Sequence, residues 1–96
     1  KAFEDKFAYD SEIKFKVEAR RNKLLALWAS ELLGKNESET QSYIKEVIKS
    51  DFQEAGDEDV FRKLSTDLKD VSNDSEVRNK MDSFLMQAKD EIMSET

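Results

Sequence analysis

The sequence predicts an all-α protein, a compact four-helix bundle with a long first helix. Three observations carry that expectation. The chain has no proline, and its only glycines are Gly34 and Gly56. Val, Ile and Thr together number 12 in 96 residues. An antiparallel sheet needs turn residues and strand formers, and this chain has few of either. Apolar residues instead recur three and four apart, in four stretches separated by short polar turns.

The first stretch runs without a breaker from about Phe3 to Leu33 and stops at Gly34. Glycine there relieves the left-handed strain of a helix end, and Lys35 adds charge suited to the helix dipole. Such a helix is ~45 Å long at 1.5 Å per residue. Before Arg20 its apolar residues are sparse. After it come Leu24, Leu25, Leu27, Trp28, Leu32 and Leu33, dense enough for a core helix. The second helix is expected from a capping box at Ser38-Glu39-Thr40-Gln41, with Tyr43, Ile44, Val47, Ile48, Phe52 and Ala55 facing inward and Gly56 ending it. Asp57 is expected to cap the third, with Glu58 and Asp59 in its first turn and Val60, Phe61, Leu64, Leu68 and Val71 inside. Asn73 and Glu76 form another capping pair. Val77, Met81, Phe84, Leu85, Ala88 and Ile92 make the inner stripe of the last helix, and Met86 falls off it. None of these stripes can be buried alone, so the helices are expected to fold as one unit.

The organisation expected is an N-terminal arm, residues 1–17, on a bundle, residues 18–96. In KAFEDKFAYDSEIKFKV, Phe3, Phe7 and Phe15 fall close to one helical face, with Ile13 and Val17 beside them. Phe3 and Phe7 have no assigned core partner. The arm is therefore expected to be a flexible or inducible helix that either docks in a partner's groove, Phe3 and Phe7 acting as anchors one turn apart, or folds those rings back onto the bundle or frays.

Composition excludes several chemistries. With no cysteine and no histidine, there are no disulfides, thiol or Ser-His catalysis, Cys/His zinc sites or histidine switch. No cofactor is called for. Asp51, Glu54, Asp57, Glu58 and Asp59 are dense carboxylates without calcium-loop spacing, and they read as caps and solvated charge. A carboxylate enzyme would need a defined polar cleft, of which the sequence gives no sign. No run is apolar enough for a membrane span. Net charge is −6, with residues 24–96 carrying seventeen acids against nine bases. That balance disfavours nucleic acid and anionic lipid as main partners. The basic exception runs from Lys14 to Lys23. Within it Arg20, Arg21 and Lys23 could contact phosphate, which supports an alternative reading as a nucleotide-binding regulatory module with weak ADP or ATP affinity. Trp28 could stack on a base, although its spacing from Leu24 and Leu32 favours the core.

Three blocks carry a family resemblance: Ala2–Asp10 (AFEDKFAYD), Ala19–Gly34 (ARRNKLLALWASELLG) and Asp51–Leu68 (DFQEAGDEDVFRKLSTDL). They resemble the ATPase-inhibitor zeta subunits of alphaproteobacterial F-type ATP synthases, over essentially the whole chain. The resemblance implies a four-helix, non-enzymatic protein that binds the α, β and γ subunits of the catalytic head and stops ATP hydrolysis. It implies a cytoplasmic protein, peripheral on the inner face of the membrane through the synthase. Carried onto this chain, the inhibitory wedge comprises Ala2, Phe3, Glu4, Lys6, Phe7, Ala8, Tyr9 and Asp10, inserted at a catalytic α/β interface near the γ shaft. Two departures stand out. The family carries several further residues before this block, so part of the wedge is expected to lie ahead of Lys1. Position 9 is Tyr where a relative has His, so histidine-based pH control is not implied.

Overall fold

The computed structural model describes residues 2–52 and 57–95, and side chains along the first helix from Glu12 onward. Four helices follow in order: α1 (Ala2–Leu33), α2 (Glu37–Ser50), α3 (Glu58–Asp67) and α4 (Asp74–Glu95). No strand occurs among the described residues. Helix α1 packs against both α2 and α4, and α3 closes the body by packing against α2 and α4. Consecutive helices run antiparallel, as do α1 and α4. The molecule measures 50 × 25 × 22 Å. Its long dimension matches the length of 32 helical residues, at ~1.5 Å rise each.

Helix α1 ends where the sequence predicts. Gly34 has φ +70°, and the amide of Lys35 donates to the carbonyl of Ser30 at 3.0 Å. These bonds satisfy carbonyls that the helix end leaves open. The start of α2 differs from expectation. Its N-cap is Asn36, not Ser38. Asn36 is extended (ψ −178°), its Oδ1 accepts from the Glu39 amide at 2.8 Å, and Glu39 Oε1 accepts from the Asn36 amide at 2.9 Å. Two overlapping boxes compete for this helix start. The earlier one wins because Asn36 follows the Gly34 turn directly, leaving Ser38 in the first helical turn. Asn36→Ala is expected to cost about 1 kcal/mol, read as a lower urea midpoint with an unchanged denaturant slope.

Four further expectations are corrected. Helix α2 stops at Ser50, so Phe52 lies outside it and is 70% exposed rather than core. The Ser50 hydroxyl donates back to the Val47 carbonyl at 2.7 Å, a bond that competes with helix continuation. Ala55 and Gly56, expected at that helix's end, lie outside the described residues. Helix α3 ends at Asp67, so Val71 falls in the following turn and is exposed. Asp57 does precede α3, but its side chain makes no cap bond. At α4, Asn73 Oδ1 accepts from the Glu76 amide at 2.8 Å, while the Glu76 carboxylate accepts from the Ser72 hydroxyl instead of reaching back to the cap.

The core divides in two. The larger cluster joins all four helices through Leu25, Ala26, Ala29, Tyr43, Ile44, Val47, Val60, Leu64, Leu68, Val77 and Met81. Trp28, Leu33, Ile48, Phe61 and Phe84 cover its edges, so Trp28 flanks the core rather than filling it. Leu27 and Leu32 are exposed. The smaller cluster is Ile13 and Val17 on α1 against Ala88 and Ile92 on α4, edged by Leu24 and Leu85. Met86 is exposed, as its position off the inner stripe requires.

Candidate partner-binding arm and the clefts beside it

The arm residues Ala2, Phe3, Glu4, Lys6, Phe7, Ala8, Tyr9 and Asp10 belong to α1 and are helical. Their side chains lie outside the described residues. On a continuous helix Phe3 and Phe7 are one turn apart on one face, and Asp10 follows a turn later. Ile13 and Val17 are buried, at 8% and 3% exposure, against α4. Phe15 points elsewhere and is 62% exposed. Arg20 already reaches Glu95 in the last turn of α4. About three turns of α1, residues 2–12, precede Ile13, its first described seat on α4.

The three basic candidates are not brought together. Arg20 faces α4: its guanidinium donates to Glu91 at 2.8 Å and to both Glu95 oxygens at 2.9 and 3.1 Å. Arg21 is 1% exposed and faces the α2–α3 connection. It donates to Asn22 Oδ1 at 3.1 and 2.9 Å, pairs with Asp57 at 3.0 Å, and approaches Asp51 to 3.9 Å. Asn22 in turn donates to Asp51 at 3.0 Å. Lys23 is exposed. Sequence reasoning missed the burial of Arg21 and the role of Asn22. The available signal was spacing: Arg21 sits four residues after Val17 and four before Leu25, on the buried stripe itself.

Ion pairs tune several groups. Glu91 is held below the usual carboxylate range by the hydrogen bond from Gln87 and then that from Arg20. Glu58 is lowered by the Arg78 guanidinium, which donates to both its oxygens at 3.1 Å and stacks on Phe61 at 3.6 Å. Both carboxylates bind protons more weakly folded than unfolded. Their contribution to stability is therefore present above the ordinary glutamate value and is lost as pH falls through the lowered folded values. The melting-temperature gap between wild type and Arg20→Gln/Arg78→Gln is expected to narrow between about pH 6 and about pH 3. A constant gap would contradict it. Tyr43 is pushed up by burial and by its 2.7 Å bond to Asp67, while Lys35 and Lys63 stand over its ring at 5.2 and 5.1 Å.

Two larger clefts flank α1. One, about 590 Å³, lies along α1 and α4 between Ile13, Val17, Leu85 and Met93, with Lys14, Glu18 and Lys89 completing its lining. The other, about 520 Å³, is lined by Trp28, Phe84, Leu24, Leu27, Thr40, Lys35, Glu31 and Ser30. Ser30 is buried and its hydroxyl has no hydrogen-bond partner among the described residues. Lys80 stands 5.9 Å over the Trp28 ring and 5.6 Å over Phe84. Among the described residues, no group of His, Cys, Asp or Glu is arranged to hold a metal ion, and no helix is long and apolar enough to cross a membrane.

Fold and surface define a class: a small all-α bundle whose first helix outruns the helix it packs on. Comparison with known proteins is specific. The family model for ATPase inhibitor subunit zeta matches residues 1–91, and the chain belongs to that family. A protein solved by solution NMR is 48% identical and superposes with a TM-score of 0.79, covering 88% of this chain and 99% of its own. No curated protein matches the chain.

Proposed function

We infer that the chain binds the catalytic head of the F-type ATP synthase and stops ATP hydrolysis without doing chemistry of its own. The observation that carries the reading is the family match over residues 1–91. The uninterrupted run of α1 from Ala2 supports it, since it offers a helix that needs no refolding of the bundle to enter a groove. The arm, residues 1–17, carries its leading turns into a catalytic α/β interface near the γ shaft, while Ile13 and Val17 stay seated on α4. Phe3 and Phe7 fill apolar pockets, Ala2 and Ala8 allow close approach, and Glu4, Lys6, Tyr9 and Asp10 set the register. A helix wedged there opposes the domain closure and shaft rotation that hydrolysis requires. Bundle residues 18–96 remain outside and resist withdrawal. The chain is then cytoplasmic, peripheral on the inner face of the membrane through the synthase.

The test is hydrolysis by the purified catalytic head with the full chain, a chain lacking residues 1–11, and Phe3→Ala/Phe7→Ala. Full inhibition by the intact chain is expected. Losing two apolar anchors should weaken inhibition by roughly a hundredfold or more, and losing the segment should abolish it. Equal inhibition by all three would reject the arm as effector.

A second reading, nucleotide binding on the bundle, is favoured by the Trp28 cleft. Its aromatic wall, the ammonium groups of Lys35 and Lys80 and the unpartnered Ser30 hydroxyl suit a base and an anion, against the one carboxylate of the lining, Glu31. Arg20 and Arg21 are already engaged by carboxylates, which moves the candidate contact from them to this cleft. ADP titrated into isotope-labelled protein should shift the Trp28 indole and the Thr40 amide saturably. Unmoved signals at millimolar nucleotide would remove this reading.

A further inference from the structure

On the side of α1 away from α4 lies a smaller notch of about 120 Å³ between α1 and the end of α2. Phe15 and Phe52 stand at it, with Ala19 and Ile48 beneath and Glu18, Asn22 and Asp51 completing the lining. Two phenylalanines, 62% and 70% exposed, are unusual on a surface this heavily charged, and neither helps the core. Large exposed aromatics grouped around a cavity are the residues that anchor interfaces. Asp51 is already held by Asn22 at 3.0 Å and faced by Arg21. Glu18 pairs with no cation among the described residues, so it is the carboxylate open to a visitor. Glu12 lies on the same side of α1, one turn before Phe15. Lys14 and Lys16 sit ~100° either side of Phe15, and Lys14 lies one turn before Glu18 without pairing with it among the described residues.

We propose that this notch is a second contact with the ATPase, seating a lysine or arginine side chain carried on an apolar segment of the catalytic head. The proposal rests on the inhibitor reading above. The Phe15 and Phe52 rings offer faces to a cation, and Glu18 offers its countercharge. The cavity holds the end of one side chain and is too small for a helix, so recognition there is of a single basic residue with apolar neighbours over the rings. Phe15 lies on the same helix as the arm, two turns after Phe7, so one partner surface meets both. The notch thereby fixes how deeply the arm enters and gives the bundle a specific hold on the outside.

Binding of the purified catalytic head is measured for the full chain and for Phe15→Ala, Phe52→Ala, Glu18→Gln and Glu18→Lys, with thermal melts as the folding check. Each phenylalanine variant should bind about tenfold more weakly while melting within a few degrees of wild type. Glu18→Gln should flatten the salt dependence of binding, and Glu18→Lys should weaken it further. Unchanged affinity in all four variants overturns the proposal. The chain lacking residues 1–11 separates the two readings: it should still bind, more weakly, and lose that residual binding with Phe52→Ala. Inhibition that survives the truncation removes the arm reading and leaves the notch measurements interpretable. Self-association that Phe52→Ala abolishes, with affinity for the head unchanged, overturns the proposal in favour of a second copy as occupant.

Discussion

Arg21→Ala is expected to lower stability by about 3 kcal/mol, which is ~10 °C or more in melting temperature for a domain of this size. The side chain is 1% exposed and is the cation around which Asn22, Asp51 and Asp57 gather. Truncation removes packing between Val17 and Leu25, and it leaves two carboxylates facing each other across a site built for a cation. Arg21→Lys should recover little. An ammonium cannot supply the planar set of donors that reaches Asn22 and Asp57 at once. Arg21→Met is the informative third variant, because a buried charge replaced by an apolar chain of similar volume often costs less than the same charge cut away. Urea denaturation of the three variants measures the order, and a loss for Arg21→Ala below about 1 kcal/mol would show the site to be as expendable as a surface pair.

Leu64→Ala is expected to cost about 3 kcal/mol, and its effect should be global. Leu64 is fully buried in the cluster that all four helices share. Ile92→Ala removes a similar volume from the smaller cluster, where only α1 and α4 meet. Its effect should be smaller in overall melting and concentrated in hydrogen exchange. Amides of residues 13–20 and of the last turns of α4 should open more often, while those of Val47 and Leu64 stay protected until the whole domain unfolds. Uniform acceleration along the chain in Ile92→Ala would mean that the two clusters open together.

Much of the architecture is legible from the chain because it depends on neighbours three and four residues apart. The end of α1 at Gly34, the stripe of α4, the buried positions Tyr43, Ile44, Val47, Val60, Leu64 and Leu68, and the exposure of Met86 all follow from local spacing. What the chain conceals depends on residues distant in sequence. Arg21 reads as part of a basic run because its compensating carboxylates, Asp51 and Asp57, lie thirty and thirty-six positions away. The same contacts hold Asp51 just past the end of α2, and Phe52 after it is turned outward, where periodicity had placed it inside. The choice of Asn36 over Ser38 as cap is a competition between two equally plausible motifs, settled by the geometry of the preceding turn. Of the arm, its helical span was legible. The Trp28 cleft and the Phe15–Phe52 notch were not, since each is assembled from more than one helix.

Helix α1 is one uninterrupted rod from Ala2 to Leu33, and Arg21 bolts its middle to the α2–α3 connection. A pull applied at the tip is therefore carried along the helix axis to a fixed point inside the bundle. A sideways push meets a lever whose fulcrum is the Ile13–Val17 seat on α4. Where α1 stays helical, the tip moves as a lever and not as a string. It yields either by unwinding turn by turn or by dragging the whole bundle with it, and the first route becomes harder with every turn that is gripped.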